Sequence, residues 1–325
     1  AGLIGGYMAA AFASKGLAVS VVGRESMRQR FSGDFTITDY MLNQATVSNI
    51  AFITTDDNEG DHFDFIWLTV KCTGLDQALA DMASFVGPHT VILSCQNGLG
   101  SERDVQRAFP SNDVRRVIMT SNVAQESDTH LHRGSQGDLL VETYTALDGI
   151  SLAEAVSCDL LVAQNIDNME SYSWSKLQLN LTNAVNALAD IPVKLMLEQR
   201  AYRRIIALVM QELITVAHAK GIVLPKMAAV PMHWVPRVLN TPNLIFSILG
   251  TKMMDIDPTV RTSMWWDLSA KRLTEVEFLN GAVVRHGREQ GIACPVNQKI
   301  VELIHQVEQS DKRMPFSPEN FLQAL

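Results

Sequence analysis

The chain has 325 residues, enough for about two domains with ample core. Its 47% hydrophobic and 19% charged content is that of an ordinary soluble globular protein, and no apolar run approaches the ~18 residues of a membrane span. The net charge of −8 comes with no basic cluster, which argues against nucleic acid as a partner; any anion must be held locally, by a few placed cations or backbone N–H groups.

The sequence opens Ala1-Gly2-Leu3-Ile4-Gly5-Gly6 and continues to Ala13 as a small-residue helix. The apolar start has no cationic segment before it and is interrupted by Lys15, so it is not read as a signal peptide. It matches the second half of a G-x-G-x-x-G fingerprint, with Gly2 and Gly5 as the second and third glycines. Gly2 would let the backbone approach a pyrophosphate, Gly5 would let the helix pack closely, and the helix N-terminus would face the anion. The first glycine and the strand before it are therefore expected to lie outside this sequence. A short strand over 19–22 ends in Gly23-Arg24-Glu25, where a dinucleotide-binding fold reads the adenine ribose. Arg24, with Arg28 nearby, favours the 2′-phosphate of NADP; Glu25 is the counter-indication, since an acid there accepts the 2′-hydroxyl of NAD.

Residues 64–70, 90–95 and 117–119 read as buried strands, with helical patterns over 76–85 and 102–108 between them. Alternating strands and helices imply a parallel sheet with ligands beyond the carboxyl ends of the strands. Lys71, Asn97 and Asn122 all follow such ends, although Lys71 also fits a solvated strand end and Asn97-Gly98 a plain turn. Residues 139–142, a helix over 151–157 and a strand over 160–163 extend the sheet, and polar 165–170 marks a boundary. The expected division is a Rossmann-type domain over 1–167 and an all-α domain over 168–325. The cysteines, Cys72, Cys95, Cys158 and Cys294, form no C-x-x-C pair and read as reduced small hydrophobes of a cytoplasmic protein.

The second half opens on residues 174–188, read as one helix. Lys176, Asn180 and Asn183 stand at i, i+4 and i+7, beside an apolar face of Leu177, Leu181, Ala184 and Leu188. Such a polar stripe is common on surface helices. Placed next to an apolar face, it fits the border of a cleft, and an ammonium flanked by two carboxamides suits a carbonyl and a carboxylate. Further helices are expected over 199–220, 225–239, 242–249, 258–268, 274–290 and 295–307. On one continuous helix Ser263 and Glu275 would be about 18 Å apart, so sharing a site requires a turn near 269–272. Gly281 within the 274–290 helix suggests close backbone packing, and Trp265-Trp266 a core or subunit contact.

These motifs occur together in one order: the partial glycine fingerprint, Val70-Lys71, Gln96-Asn97-Gly98, Trp174-x-Lys176-x3-Asn180, Ser263-Met264 and Thr274-Glu275-Val276-x3-Asn280-Gly281. In this the chain resembles the ketopantoate reductases (2-dehydropantoate 2-reductases). The resemblance implies an N-terminal Rossmann domain, a 6-phosphogluconate-dehydrogenase-like helical C-terminal domain and a cleft between them. It implies NADPH-dependent reduction of 2-dehydropantoate to (R)-pantoate on the route to pantothenate and coenzyme A, with no metal. Lys176 matches the family's catalytic lysine and Glu275 its active-site glutamate, which would hold the ammonium or accept from the substrate hydroxyl. Asn180 and Ser263 match substrate-binding positions, and Asn97 and Lys71 match positions near the nicotinamide and ribose. With Gly2, Leu3, Ile4, Gly5 and Arg24 they complete the implied cofactor site, Asn97 serving the substrate as well. One departure stands out: the family often has an asparagine eight residues after the lysine, and here that position is Ala184. Asn183, on the Lys176 face, and Asn186 are the candidates for its role. Two other readings fit the same scaffold, a reductase of a different 2-oxo acid and a non-catalytic NADP(H) sensor; the intact Lys176, Asn180, Ser263 and Glu275 set argues against the sensor. Homodimerisation through the helical half is compatible with its apolar content.

Overall fold

A computed structural model of the chain describes residues 2–48, 50–57, 60, 62–145, 149–255, 257–310, 313 and 315–324; Ala1 of the opening motif lies outside them. The contacts divide the chain into two units, Ala1–Gln96 with Ser101–Met169, and Asn97–Gly100 with Glu170–Leu325.

The first unit begins with α1 (Leu3–Ser14), buried continuously from Gly5 to Phe12. Then follow β1 (Ser20–Val22), α2 (Arg28–Phe31), β2 (Asp34–Asp39), β3 (Gln44–Ser48), β4 (Ala51–Ile53), β5 (Phe65–Leu68) and α3 (Leu75–Met82). The unit continues with β6 (Val91–Ser94), α4 (Ser101–Ala108), β7 (Val114–Met119), β8 (Val123–Ser127), β9 (His130–Arg133), β10 (Leu139–Glu142), α5 (Leu152–Val156) and β11 (Ala163–Ile166). β1 pairs in parallel with β4, and a five-stranded sheet runs β11-β10-β7-β6-β5. β5, β6 and β7 are parallel; β10 joins antiparallel to β7, so the sheet is not wholly parallel as the alternation of elements suggested. β6 is buried along its whole length because it has core on both faces: Val91 and Leu93 join the α1 cluster, while Ile92 packs with Leu75, Met82 and Val105 of α3 and α4.

A second sheet, β3-β2-β9-β8, was not read from the sequence. In β2, buried Phe35, Ile37 and Asp39 alternate with Thr36 and Thr38, the signature of a sheet with one covered face. α1 covers it: a Cβ on Gly6 would stand 3.2 Å from Leu131 Cδ1. Asp39 and Arg133 form a buried ion pair at 2.8 Å. The last strand also differs from expectation. It spans Ala163–Ile166, because Cys158 and Leu161 exchange backbone hydrogen bonds and close a turn over 158–161 that buries Leu160 and Leu161.

The second unit is helical: α6 (Met169–Asn180), α7 (Thr182–Ala189), α8 (Val193–Glu198), α9 (Arg200–Ala219), α10 (Val235–Leu239), α11 (Asn243–Leu249), α12 (Thr251–Met254), α13 (Ser263–Ser269), α14 (Asn280–Glu289), α15 (Pro295–Glu308) and α16 (Pro318–Ala324). α9 is its spine, burying Ile205, Ile206, Val209, Met210, Leu213 and Val216. Arg203 of α9, fully buried, donates to the carbonyls of Leu197, Glu198, Leu239 and Thr241 and to Asn243 Oδ1. The carbonyl-rich ends of α8 and α10 thus take the place of a carboxylate partner.

Four expected helices are shorter or broken. The 174–188 stretch divides at Leu181, which keeps right-handed dihedrals (φ −59°, ψ −23°) and donates to Leu177 O at 3.0 Å. The segment 225–231 is not helical, since Pro231 lacks a backbone donor and the chain turns helical only beyond it. Helix 258–268 starts at Ser263, because Val260 N–H closes a turn to Asp257 O and its carbonyl accepts from Val193 N–H, leaving Thr262 extended before the helix. The 274–290 stretch is a 3-10 turn (Val276–Phe278) and α14, separated at Leu279 (φ −103°, ψ −94°). Gly281 therefore lies in the first turn of a helix, not its middle, with Glu277 Oε2 2.4 Å from where its Cβ would be. Trp265 is half-buried and Trp266 exposed; Trp265 Nε1 donates to Asp190 Oδ1 at 2.5 Å and its ring packs against Arg261 and Arg313. No helix among the described residues is long and apolar enough to cross a membrane.

Candidate active site

Along α6 and α7, half-buried Lys176, Asn180 and Asn183 interleave with buried Leu177, Leu181 and Ala184. The stripe keeps one face because the break at Leu181 leaves the backbone right-handed. The Lys176 ammonium makes no hydrogen bond or ion pair with any described residue, Glu275 included, and burial pulls it below the ordinary lysine value. A desolvated cation not neutralised by a carboxylate is suited to a ligand that brings negative charge.

Asn180 Nδ2 donates to Asn97 Oδ1 at 3.4 Å, which ties the stripe to the loop Asn97–Gly100. The same loop is seated on the segment after Glu275: Leu99 N–H donates to Phe278 O at 3.2 Å. Gly98 is required there twice over. Its φ is +87°, and a Cβ would lie 2.1 Å from Phe278 O. Asn97-Gly98 is therefore more than a turn pair: it is a docking point between the asparagine and the Glu275 segment. Glu275 is buried, and its carbonyl accepts from Phe278 and Leu279 N–H at 3.0 and 3.1 Å.

Ser263 is the exposed first residue of α13, and Thr262 before it joins α13 to α7. Thr262 N–H donates to Asn186 Oδ1 at 3.1 Å, and its hydroxyl lies 3.2 Å from both Asn183 O and Asn186 Oδ1. Asn186, fully buried, also donates to Ile191 O at 2.8 Å, so its amide is committed to the fold. The side chain of Asn183 is half-buried on the lysine face. The turn between Ser263 and Glu275 lies where the distance argument required it. Lys271 adopts a left-handed conformation (φ 52°), Arg272 N–H reaches Asp267 O at 2.8 Å and Lys271 N–H reaches Leu268 O at 3.1 Å. This is a Schellman closure, built on lysine where glycine is usual, which is why no sequence signal announced it. Thr262, Asn186 and Gly98 are the positions that sequence reasoning passed over or underrated. A threonine immediately before a helix is an available cap signal, yet the Thr262 side chain makes no cap bond to α13 and meets α7 instead.

In the first unit Gly2 is the N-cap of α1, exposed, with no atom within 4 Å of a notional Cβ and no acid in the helix's first turn. Leu3 and Ile4 supply N–H groups of that turn, so the geometry and charge suit a pyrophosphate. Close packing is seen at Gly6, against Leu131. Arg24 follows β1 and is exposed. Glu25 is bound by Arg28, 2.8 Å from Nε, and Arg28 in turn bonds Asp57 at 2.6 Å. The acid that argued for NAD is thus occupied. Lys71, exposed, is the N-cap of a 3-10 turn (Cys72–Gly74) after β5. Asn122 is taken up by a turn, its N–H donating to Ser135 Oγ at 2.9 Å. Burial pushes the Cys95 thiol up to about 12, which keeps it protonated and unsuited to nucleophilic work.

Two family models match the chain: ketopantoate reductase PanE/ApbA over residues 1–145, and its C-terminal domain over residues 168–308. The chain belongs to the ketopantoate reductase PanE/ApbA family. It is accordingly an NAD(P)-dependent oxidoreductase acting on a small molecule. Among curated relatives, a 2-dehydropantoate 2-reductase of Pyrobaculum aerophilum is 29% identical over 223 residues, 67% of this chain and 71% of that one. Among solved structures, a PanE/ApbA family ketopantoate reductase from Ralstonia eutropha JMP134 superposes with a TM-score of 0.77 at 23% identity, covering 94% of this chain and 96% of that one. A D-mandelate dehydrogenase solved with NADH and anilino(oxo)acetate superposes equally well, with a TM-score of 0.77 at 21% identity and coverage of 94% and 96%.

Proposed function

We propose that this ketopantoate reductase family member reduces 2-dehydropantoate to (R)-pantoate with NADPH. The observation that carries the reading is the desolvated Lys176 ammonium, paired with no carboxylate among the described residues, in a stripe with two carboxamides and joined through Asn180 to Asn97. When bound, the reduced nicotinamide supplies a hydride. As hydride reaches C2 of the oxo acid, the carbonyl electron pair moves to oxygen, and Lys176 stabilises that charge and gives it a proton. Solvent then reprotonates the lysine. Asn180, Asn183 and Ser263 hold the carboxylate and hydroxyl of the substrate, which lowers the entropic part of the barrier. Asn97 serves substrate and cofactor. Because Glu275 makes no ion pair with Lys176, its role in this scheme is to accept from the substrate hydroxyl. In the cofactor site, Gly2, Leu3, Ile4 and Gly5 present the α1 N-terminus to the pyrophosphate, Lys71 serves the ribose, and Arg24 takes the 2′-phosphate.

A second reading, reduction of another 2-oxo acid, is favoured by Ala184 in place of the family's asparagine and by the D-mandelate dehydrogenase likeness. Steady-state NADPH oxidation with 2-dehydropantoate, 2-oxoisovalerate, 2-oxopantolactone and phenylglyoxylate separates the two. A kcat/KM above about 10⁴ M⁻¹s⁻¹ for 2-dehydropantoate alone is expected; turnover of only another acid would discard the pantoate role and keep the lysine chemistry. In the same assay Arg24→Ala should raise KM for NADPH at least tenfold more than for NADH, and equal effects would reject the 2′-phosphate assignment.

A further inference from the structure

Glu275 lies in a segment too irregular to hold itself. It has a 3-10 turn after it and a non-helical Leu279 beyond, so its position depends on neighbours. α15 supplies them. Glu308, whose side chain is 7% exposed, accepts Thr274 N–H at Oε1, 2.8 Å, immediately before Glu275. Its other oxygen lies 2.8 Å from His305 Nδ1, and His305 Nε2 lies 3.0 Å from Glu277 Oε1, two residues after Glu275. Glu277 is braced from α14 by Arg285, at 2.8 Å to its carbonyl and 3.4 Å to its carboxylate. An ionised carboxylate only accepts, so an imidazole between two of them must donate from both nitrogens, and the bridge is complete only in the imidazolium.

We infer that His305 and Glu308 are positioning residues for Glu275: together they strap residues 274–277 onto α15, and the strap is complete while His305 carries both ring protons. The inference rests on the proposed role of Glu275. Among the described residues, the charged groups around His305 are Glu308 on its own helix, Glu277 on the turn and Arg285 on α14. Glu302, one turn earlier on α15, is engaged by Lys299 at 3.4 Å. The two flanking carboxylates, Glu277 first, raise the His305 pKa from 6.5. The contribution of the strap is therefore fully present below 6.5 and is lost as pH rises through the raised value, when one ring proton leaves and one bridge opens.

The test pairs hydrogen exchange of the 274–279 amides with steady-state kinetics for the wild type, His305→Gln, Glu277→Gln and His305→Arg. The Gln variants should exchange faster at 274–279 and not in α9, and lose about tenfold in kcat with KM for NADPH within about twofold, as expected when a reacting group is mispositioned. Glu277→Gln removes the charge from the same bridge on the side of the turn, leaving at most a neutral hydrogen bond, and guards against a packing effect of altering α15. His305→Arg, a permanent cation, should restore protection and rate and abolish the pH dependence of both. Unchanged exchange in the Gln variants, or faster exchange with wild-type kcat, would overturn the inference. If the wild type turns over no 2-oxo acid, the functional reading falls separately, and the exchange data alone decide whether the strap holds the segment.

Discussion

Lys176 and Glu275 are held in the same helical unit by opposite means. Lys176 stands on a regular helix whose neighbouring face, Leu177, Leu181 and Ala184, is buried in the unit's main core. Its backbone needs nothing from the site. Glu275 stands on a turn whose place is set by Glu308, His305 and Arg285 on other helices and by Leu99 of the Asn97–Gly100 loop. A helix-borne group can be altered without disturbing its support, so its loss reads out in chemistry. A turn-borne group can be disturbed by residues that never meet a ligand, so its loss reads out in geometry, stability and pH dependence.

The largest expected effect tests the first half of that contrast. Lys176→Ala should lower kcat by about 10²–10⁴-fold, the usual worth of a general acid, and should leave the melting temperature unchanged or higher, because the residue removed is a desolvated cation. A clear drop in melting temperature would mean that Lys176 supports the fold and that the two regions are not different in kind.

Next in size is Gly98→Ala, which tests the second half. A methyl cannot occupy a point 2.1 Å from Phe278 O, so the loop must lift off the Glu275 segment or strain its backbone. A loss of about 1–3 kcal/mol of stability is expected, together with a fall in kcat. Wild-type activity with wild-type stability would show that the seating of the loop on Phe278 is unimportant.

Two asparagines, three residues apart on α7, carry the contrast at smaller scale. Asn186→Ala strips partners from Thr262 N–H and should cost about 1–3 kcal/mol in unfolding free energy. Asn183→Ala should leave unfolding nearly unchanged and raise KM for the oxo acid. Reversed results would return Asn186 to the substrate and make Asn183 the structural amide.

What the sequence disclosed follows the same division. The helix-borne stripe was legible because Lys176, Asn180 and Asn183 obey a period that any helix imposes. Strands β5 and β6 and the apolar end of β7 (117–119) were legible as apolar runs, although β5 proves half-buried except at Leu68 and β7 starts earlier, with Arg115 and Arg116. The second sheet was less legible, although Phe35 and Ile37 alternate with threonines, because its strands are half polar and form no continuous apolar run. The turn at Lys271 was legible only through the distance argument between Ser263 and Glu275 and not from local signals, since Ala270, Lys271 and Arg272 favour helix and the left-handed Lys271 is stabilised by bonds back to Asp267 and Leu268 that only the folded chain provides. The strap was invisible for the same reason: Glu277 and His305 are 28 residues apart in sequence.

The pH dependence of stability sets the two regions against each other most directly. Lys176 is lowered by burial from 10.5, so between its folded value and 10.5 the unfolded chain binds more protons and stability rises with pH. Activity moves the other way, because the general acid is lost through the same titration and kcat/KM falls on an alkaline limb lying below 10.5. The His305 strap loses stability as pH rises through a pKa above 6.5. Melting temperatures measured across pH 5–10 should therefore show the strap's decline absent in His305→Gln and the alkaline gain absent in Lys176→Met. Each variant should keep the feature that the other lacks. The strap's share should be the smaller and should shrink further with salt, since His305 is 39% and Glu277 51% exposed and their attraction is screened. Parallel profiles for the wild type and Lys176→Met on the alkaline side would mean that the folded lysine titrates as it does in water, and the desolvation on which the general-acid assignment depends would have to be given up.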